Sequence, residues 1–190
     1  MSISITGVCN IALVKIGVDP ISDINDATSK PARTCLALWE ANRDAVLEAA
    51  KWKCASKRAE LTPSDDTPIG DEWAYQYQLP ADYIRMIAAL GEPVYLIEGD
   101  KLLTDDDVIF IRYVYRLTTT GSYHPTLVEA MAARLASGLV IPLKASPNLR
   151  NSMYQEFQLI LTTAEVINAF DDQLDEQVRK EDSWHKARRI

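Results

Sequence analysis

The sequence predicts an α+β fold: a mainly helical bundle of four helices with an inserted antiparallel β subdomain and an extended C-terminal tail. Three observations predict it. Apolar residues recur at helical spacing near both ends of the 190-residue chain, the period drops to two in between, and periodicity fades from Asp171 onward. The resulting segments are 1–52 (first half of the bundle), 53–121 (β insert), 122–172 (second half) and 173–190 (tail).

Ile5, Val8, Cys9, Ala12, Leu13 and Ile16 trace one helical face, and Gly17 is placed to close that helix in a left-handed cap. The following loop carries Asp19, Asp23 and Asp26 but lacks the glycine and terminal glutamate of a calcium loop, so it reads as a turn-rich connection. Ser29 caps a second helix with Pro31 in its first turn, and Cys35, Leu38, Trp39, Val46 and Ala49 give it an apolar face ending near Trp52. Glu40, Arg43, Asp44 and Glu48 form its solvated face. There Glu40 and Glu48 each repel Asp44 across one turn, which leaves room for a basic partner.

In the insert, Ala55, Ala59 and Leu61 share one side of a first strand, and the Pro/Asp/Gly-rich loop Thr62–Glu72 forms a tip. Trp73, Tyr75, Tyr77 and Leu79 alternate with Ala74, Gln76 and Gln78, a strand with its aromatics packed inward. A turn at Pro80–Asp82 leads into Tyr83–Ala89, and Gly99-Asp100 suits a two-residue hairpin between Val94–Ile97 and Leu102–Thr104. After the turn Asp105–Asp107, the last strand sets Ile109, Ile111, Tyr113, Tyr115 and Leu117 against Val108, Phe110, Arg112, Val114 and Arg116.

The third helix repeats Leu127, Met131, Leu135 and Leu139 every fourth residue, with Ala130, Ala132, Ala133, Ala136, Ser137 and Gly138 between them. Small side chains admit close neighbours, so this is the central packed helix. Pro142 ends or kinks it. Ser146 caps the fourth helix, Pro147 opens it, and Leu149, Met153, Phe157, Ile160, Ala164 and Ile167 make its apolar face.

A hydrophobic fraction of 47%, a charged fraction of 25%, net charge -7 and a pI near 4.9 argue against a protein whose main work is gripping phosphates. No basic-then-apolar leader or unbroken bilayer-length apolar run is read, and no membrane partner. Cys9, Cys35 and Cys54 lack paired spacing and read as free thiols. No phosphate loop, nucleophile elbow or His-Glu-x-x-His pair occurs, so no catalytic set, metal or cofactor is expected. His124 reads as a helix cap and His185 as surface. The alternative reading is a small peptidoglycan-degrading enzyme using Asp/Glu acid–base chemistry, with Asp105–Asp107 or Asp65–Asp66 as its carboxylates, although adjacent turn aspartates are more simply solvated. Base stacking on the aromatic strand is a third reading, outweighed by inward packing. Trp184, Arg188, Arg189 and Ile190 are residues of interface type on the tail, which reads as a segment that orders on a partner.

The order of parts, with Cys9–Gly17 (CNIALVKIG), Trp52–Cys54 (WKC), Tyr77–Arg85 (YQLPADYIR) and Pro125–Ala136 (PTLVEAMAARLA), resembles the head-to-tail adaptor proteins of short-tailed phages, the tail tubular protein A-like or gatekeeper-like family. The resemblance implies a structural virion protein, made in the host cytoplasm, that forms a ring, commonly dodecameric. The ring would join the portal protein to the tail nozzle protein and extend the DNA channel, through which DNA passes without specific binding. Carried over, Trp184, Arg188, Arg189 and Ile190 would anchor the portal side. Asp65, Asp66, Gly70, Gly99 and Asp100 would meet the nozzle or a neighbouring subunit.

Overall fold

The computed structural model describes residues 3–64, 68–70 and 72–187, and the side chains of those up to residue 169. Among them are four α-helices and six strands: α1 (Ile5–Lys15), α2 (Lys30–Ala49), β1 (Ser56–Leu61), β2 (Tyr75–Gln78), β3 (Tyr83–Leu90), β4 (Tyr95–Glu98), β5 (Lys101–Thr104), β6 (Ile109–Tyr115), α3 (Pro125–Lys144) and α4 (Pro147–Ala187). The class is α+β, as the periodicities predict. The chain divides into two compact units, one of Arg43–Tyr123 and one of residues 3–42 with the segment from His124 onward, and the division falls inside α2.

In the helical unit, Ser4 Oγ accepts the Gly7 N–H at 3.0 Å to start α1. Gly17, at φ 68, closes it: the Val18 N–H returns to Leu13 O and the Gly17 N–H to Val14 O. This is the paired closure that only a left-handed residue permits cheaply. Ser29 Oγ accepts the Ala32 N–H at 3.3 Å and caps α2. The centre of the unit is α3, whose Leu127, Ala130, Met131, Leu135 and Leu139 are buried and which packs against α1 and α4. Asn42 of α2 donates through Nδ2 to Met131 O at 3.2 Å, and a methyl added at Gly138 would stand 3.4 Å from Leu38 Cδ1. The small residues thus serve the close approach predicted for them. Eighteen residues of α3 average a hydropathy of 1.4, long and apolar enough to cross a membrane, but 61% of that window is buried in the protein.

Pro142 neither ends α3 nor opens a break. The helix runs on to Lys144 and stops at Ala145, which takes a left-handed φ of 50 and donates to Val140 O and Ile141 O. Pro142 lacks the N–H that would bond to the carbonyl of Gly138, so the ladder misses one bond there. In α4, Ser146 Oγ accepts the Leu149 N–H at 3.4 Å, and Phe157 and Ala164 are buried while Ile167 is half exposed. The helix then continues past Asp171 to Ala187, through the stretch where apolar periodicity fades. That stretch has no glycine or proline, and Asp175/Arg179 and Glu176/Lys180 are spaced acid-before-base at i,i+4, the favourable order along a helix.

The β unit contains two three-stranded antiparallel sheets, β1-β6-β3 and β2-β5-β4. Their shared core is Leu61, Tyr77, Leu79, Leu102, Ile109, Ile111 and Tyr113. Glu98 pairs with Lys101 across the two-residue turn, where Gly99 adopts φ 61. The aromatic stripe is only partly inward: Tyr77 is buried, but Tyr75 is 38% exposed and Gln76 is buried instead. The strand begins at Tyr75, so Trp73 precedes it, and Lys101 Nζ reaches the Gln76 side-chain oxygen at 3.4 Å, which tempers the cost of burying the amide.

Leu135→Ala in α3 should lower unfolding free energy by about 2–5 kcal/mol, and Gly17→Ala by about 1 kcal/mol through strain at positive φ. Urea denaturation of each variant measures both.

Candidate interface

The β unit is tied together by two charge clusters whose residues lie far apart in sequence. Asp44 receives Arg43 Nε at 2.8 Å and Arg116 Nε at 3.0 Å. The solvated face expected for α2 is therefore corrected at Arg43: it is buried against its neighbour's carboxylate, with only 9% of its side chain exposed. The basic partner that the like-charged face invited comes from this chain. The second cluster centres on Asp82, which accepts Lys57 Nζ at 2.6 Å and the Tyr113 hydroxyl at 2.9 Å. Lys57 Nζ also lies 3.9 Å from the centroid of the Tyr115 ring, a cation–π contact.

Burial alone would raise the Asp82 carboxyl, but the hydrogen bonds from Lys57 and Tyr113 and the Lys57 charge outweigh it and hold the group below its ordinary range. Burial, reinforced by the Asp82 hydrogen bond and charge, pushes the Tyr113 phenol up to about 12. Tyr123 is also pushed up to about 12, chiefly by burial, and its hydroxyl donates to Leu117 O at 3.0 Å. Lys57, Asp82, Tyr115 and Arg116 line an open cleft of about 480 Å³ with Thr118 and Ser122. Each cation of that cleft already has its carboxylate.

In the helical unit, Lys15 joins α1 to Glu156 of α4 at 2.6 Å and to Glu129 of α3 at 3.5 Å. The three cysteines are free, as expected, but Cys9 and Cys35 are buried as hydrogen-bonded neighbours, an arrangement that drives the Cys9 thiol upward.

The residues singled out from sequence do not converge. Asp65, Asp66, Arg188, Arg189 and Ile190 lie outside the described residues. Trp184 falls within α4, where its side chain is likewise outside the description, as is that of His185. Gly70 takes φ 94 in its loop. Gly99 and Asp100 form the β4–β5 turn, with Asp100 O accepting the Leu79 N–H at 2.9 Å. His124 is the N-terminal cap residue of α3, yet its side chain makes no capping bond, which corrects the expected role: Pro125 at the first helical position leaves one fewer N–H to satisfy. Asp105, Asp106 and Asp107 are exposed in their turn, and Asp105 Oδ1 accepts the Ala74 N–H at 3.0 Å. Asp23 and Asp26 act as turn formers, accepting the Asn25 and Thr28 N–H groups. No group of three potential metal ligands occurs among the described residues.

What the sequence did not single out is the outward face of sheet β1-β6-β3. Phe110 and Leu90 are cross-strand partners there, 43% and 39% exposed, beside Arg58 and Arg112 in the next row. The alternation in β6 reads as a strand largely covered on both faces, whereas Val108 and Phe110 are exposed, and which side chains stand opposite each other depends on strand register. No protein-family model and no curated protein matches the chain.

Because the Asp82 carboxyl is depressed on folding, its contribution to stability is present above the unfolded value of about 3.9 and is lost as pH falls through the folded value. The stability gap between wild type and Asp82→Asn should therefore be level from neutral pH down to about pH 5 and close below about pH 4, as followed by denaturation at each pH. In an alkaline absorbance titration, Tyr113→Phe and Tyr123→Phe should each remove one late phase near 12.

Proposed function

We propose that this chain is a structural virion protein, a head-to-tail adaptor that assembles as a ring between portal and tail nozzle and continues the DNA channel. The observation that carries the reading is the order of its parts together with the four sequence segments that resemble the family. The first of these segments lies in α1 and its cap, the second just before β1, the third across β2 into β3, and the fourth at the start of α3. Exposed apolar side chains support it. Val108, Phe110 and Leu90 on the β unit, and Leu159 and Val166 seven residues apart on α4, are surface that partners would cover. The net charge of -7 supports a channel wall that repels phosphates, so that DNA slides past without specific binding. The C-terminal residues Trp184 and Arg188–Ile190 are assigned to the portal side. The turns at Gly70 and Gly99-Asp100, with Asp65 and Asp66, are assigned to the nozzle or the next subunit. The protein works in the virion tail and makes no membrane contact.

Sedimentation or native mass spectrometry of the chain mixed with its portal protein tests the reading. A large stoichiometric assembly is expected, and persistent monomer with no portal binding sinks it. Truncation after Asp172 should leave the denaturation midpoint unchanged and weaken portal attachment, because the apolar period of α4 fades beyond Asp171. Undiminished attachment by the truncated chain overturns the portal-side assignment.

A further inference from the structure

The outward face of sheet β1-β6-β3 sets two arginines side by side. Arg58 of β1 and Arg112 of β6 are direct cross-strand partners, and like charges so placed repel unless an anion joins them. Neither forms an ion pair among the described residues, whereas Arg43 and Arg116 share Asp44 and Lys57 takes Asp82. Arg112 Nε is buried with no hydrogen-bond partner among the described residues, and burying it costs desolvation. The adjoining row is Glu60, Phe110 and Leu90. Arginine beside an exposed aromatic ring is the composition of a protein interface, and a phosphate backbone would be better served by an unbroken basic stripe.

The complementary charge is present in the same sequence. Asp105, Asp106 and Asp107 form an exposed turn immediately before β6, and none of the three has a cationic partner among the described residues. We propose that the Arg58–Arg112 pair of one copy receives the Asp105–Asp107 turn of a second copy, with Phe110 and Leu90 covered in the same contact. The inference rests on the ring reading and supplies residues for its subunit interface. The two patches differ, so the contact is head-to-tail and repeats from copy to copy until rotation closes it. Guanidinium–carboxylate pairing fixes the register and makes assembly salt-sensitive.

Charge reversal tests it, using full-length protein in sedimentation velocity at low ionic strength, alone and with the portal protein. Arg58→Glu/Arg112→Glu reverses one side and Asp106→Lys/Asp107→Lys the other. Each variant alone should self-associate at least about tenfold more weakly than wild type. Their equimolar mixture should recover, since each reversed patch then meets a matching one on the other variant. Arg58→Glu alone, at an exposed side chain, should weaken association without disturbing the buried Arg112 stem. Wild type that assembles while the arginine variants assemble equally well, or a mixture no better than its components, overturns the contact and leaves the adaptor reading standing. Wild type that stays monomeric both alone and with portal sinks the adaptor reading, and the contact with it. A low-salt shift of duplex DNA abolished by Arg58→Glu/Arg112→Glu assigns the pair to phosphate and likewise overturns the proposal.

Discussion

Burial of α3 is the constraint on which the helical unit depends. A twenty-residue helix with apolar and small side chains around most of its surface cannot be covered by a single neighbour. Its partners come from opposite ends of the sequence: α1 and the first part of α2 before the strands, α4 after them. Long-range closure of that kind costs chain entropy, and the close approach at Gly138 and the buried packing of Met131 and Leu135 offset it. The Lys15–Glu156 and Lys15–Glu129 pairs add direction more than energy, because both are partly solvated and salt-screened.

The β unit solves a different problem. Strands of four to eight residues in two small sheets enclose a limited core, and polar ties complete it. Asp82 shows how. It sits in the turn before β3, its backbone oxygen accepts the Arg116 N–H at 2.7 Å, and its carboxylate gathers Lys57 of β1 and Tyr113 of β6. One side chain thus links all three strands of one sheet. Tyr113 belongs to the core and to this cluster at once, which is why its phenol is both buried and hard to ionise.

Local signals carried much of the fold into view. Caps at Ser29 and Ser146, the left-handed closure at Gly17 and the Gly99 turn depend only on neighbouring residues, and each stands where its chemistry placed it. Misreadings occurred where tertiary partners decide. Arg43 looked solvated until Asp44 and the packing around it were known. Tyr75 and Gln76 exchanged their expected environments because the strand is short and its neighbour supplies Lys101. Pro142 lies inside α3, three residues before the left-handed Ala145 that ends it. The continuation of α4 was hidden because its sequence carries no sustained apolar period, only i,i+4 charge spacing. The Arg58–Arg112 juxtaposition could not be read from sequence at all, since fifty-odd residues separate two positions that only the β1–β6 register brings together.

That juxtaposition also limits what the acidic balance means. Net charge describes how the chain meets a distant polyanion, whereas an interface depends on which charges remain unneutralised locally. Here Asp44 and Asp82 are each matched within the β unit. Among the described residues that form no ion pair are an arginine pair on a sheet face and a carboxylate turn at a strand end. If both were merely solvated, a lysine pair would serve as well and would bury no guanidinium Nε without a partner. Opposite charges held apart on the surface of one unit are what the proposed head-to-tail contact would bring together, one copy against the next.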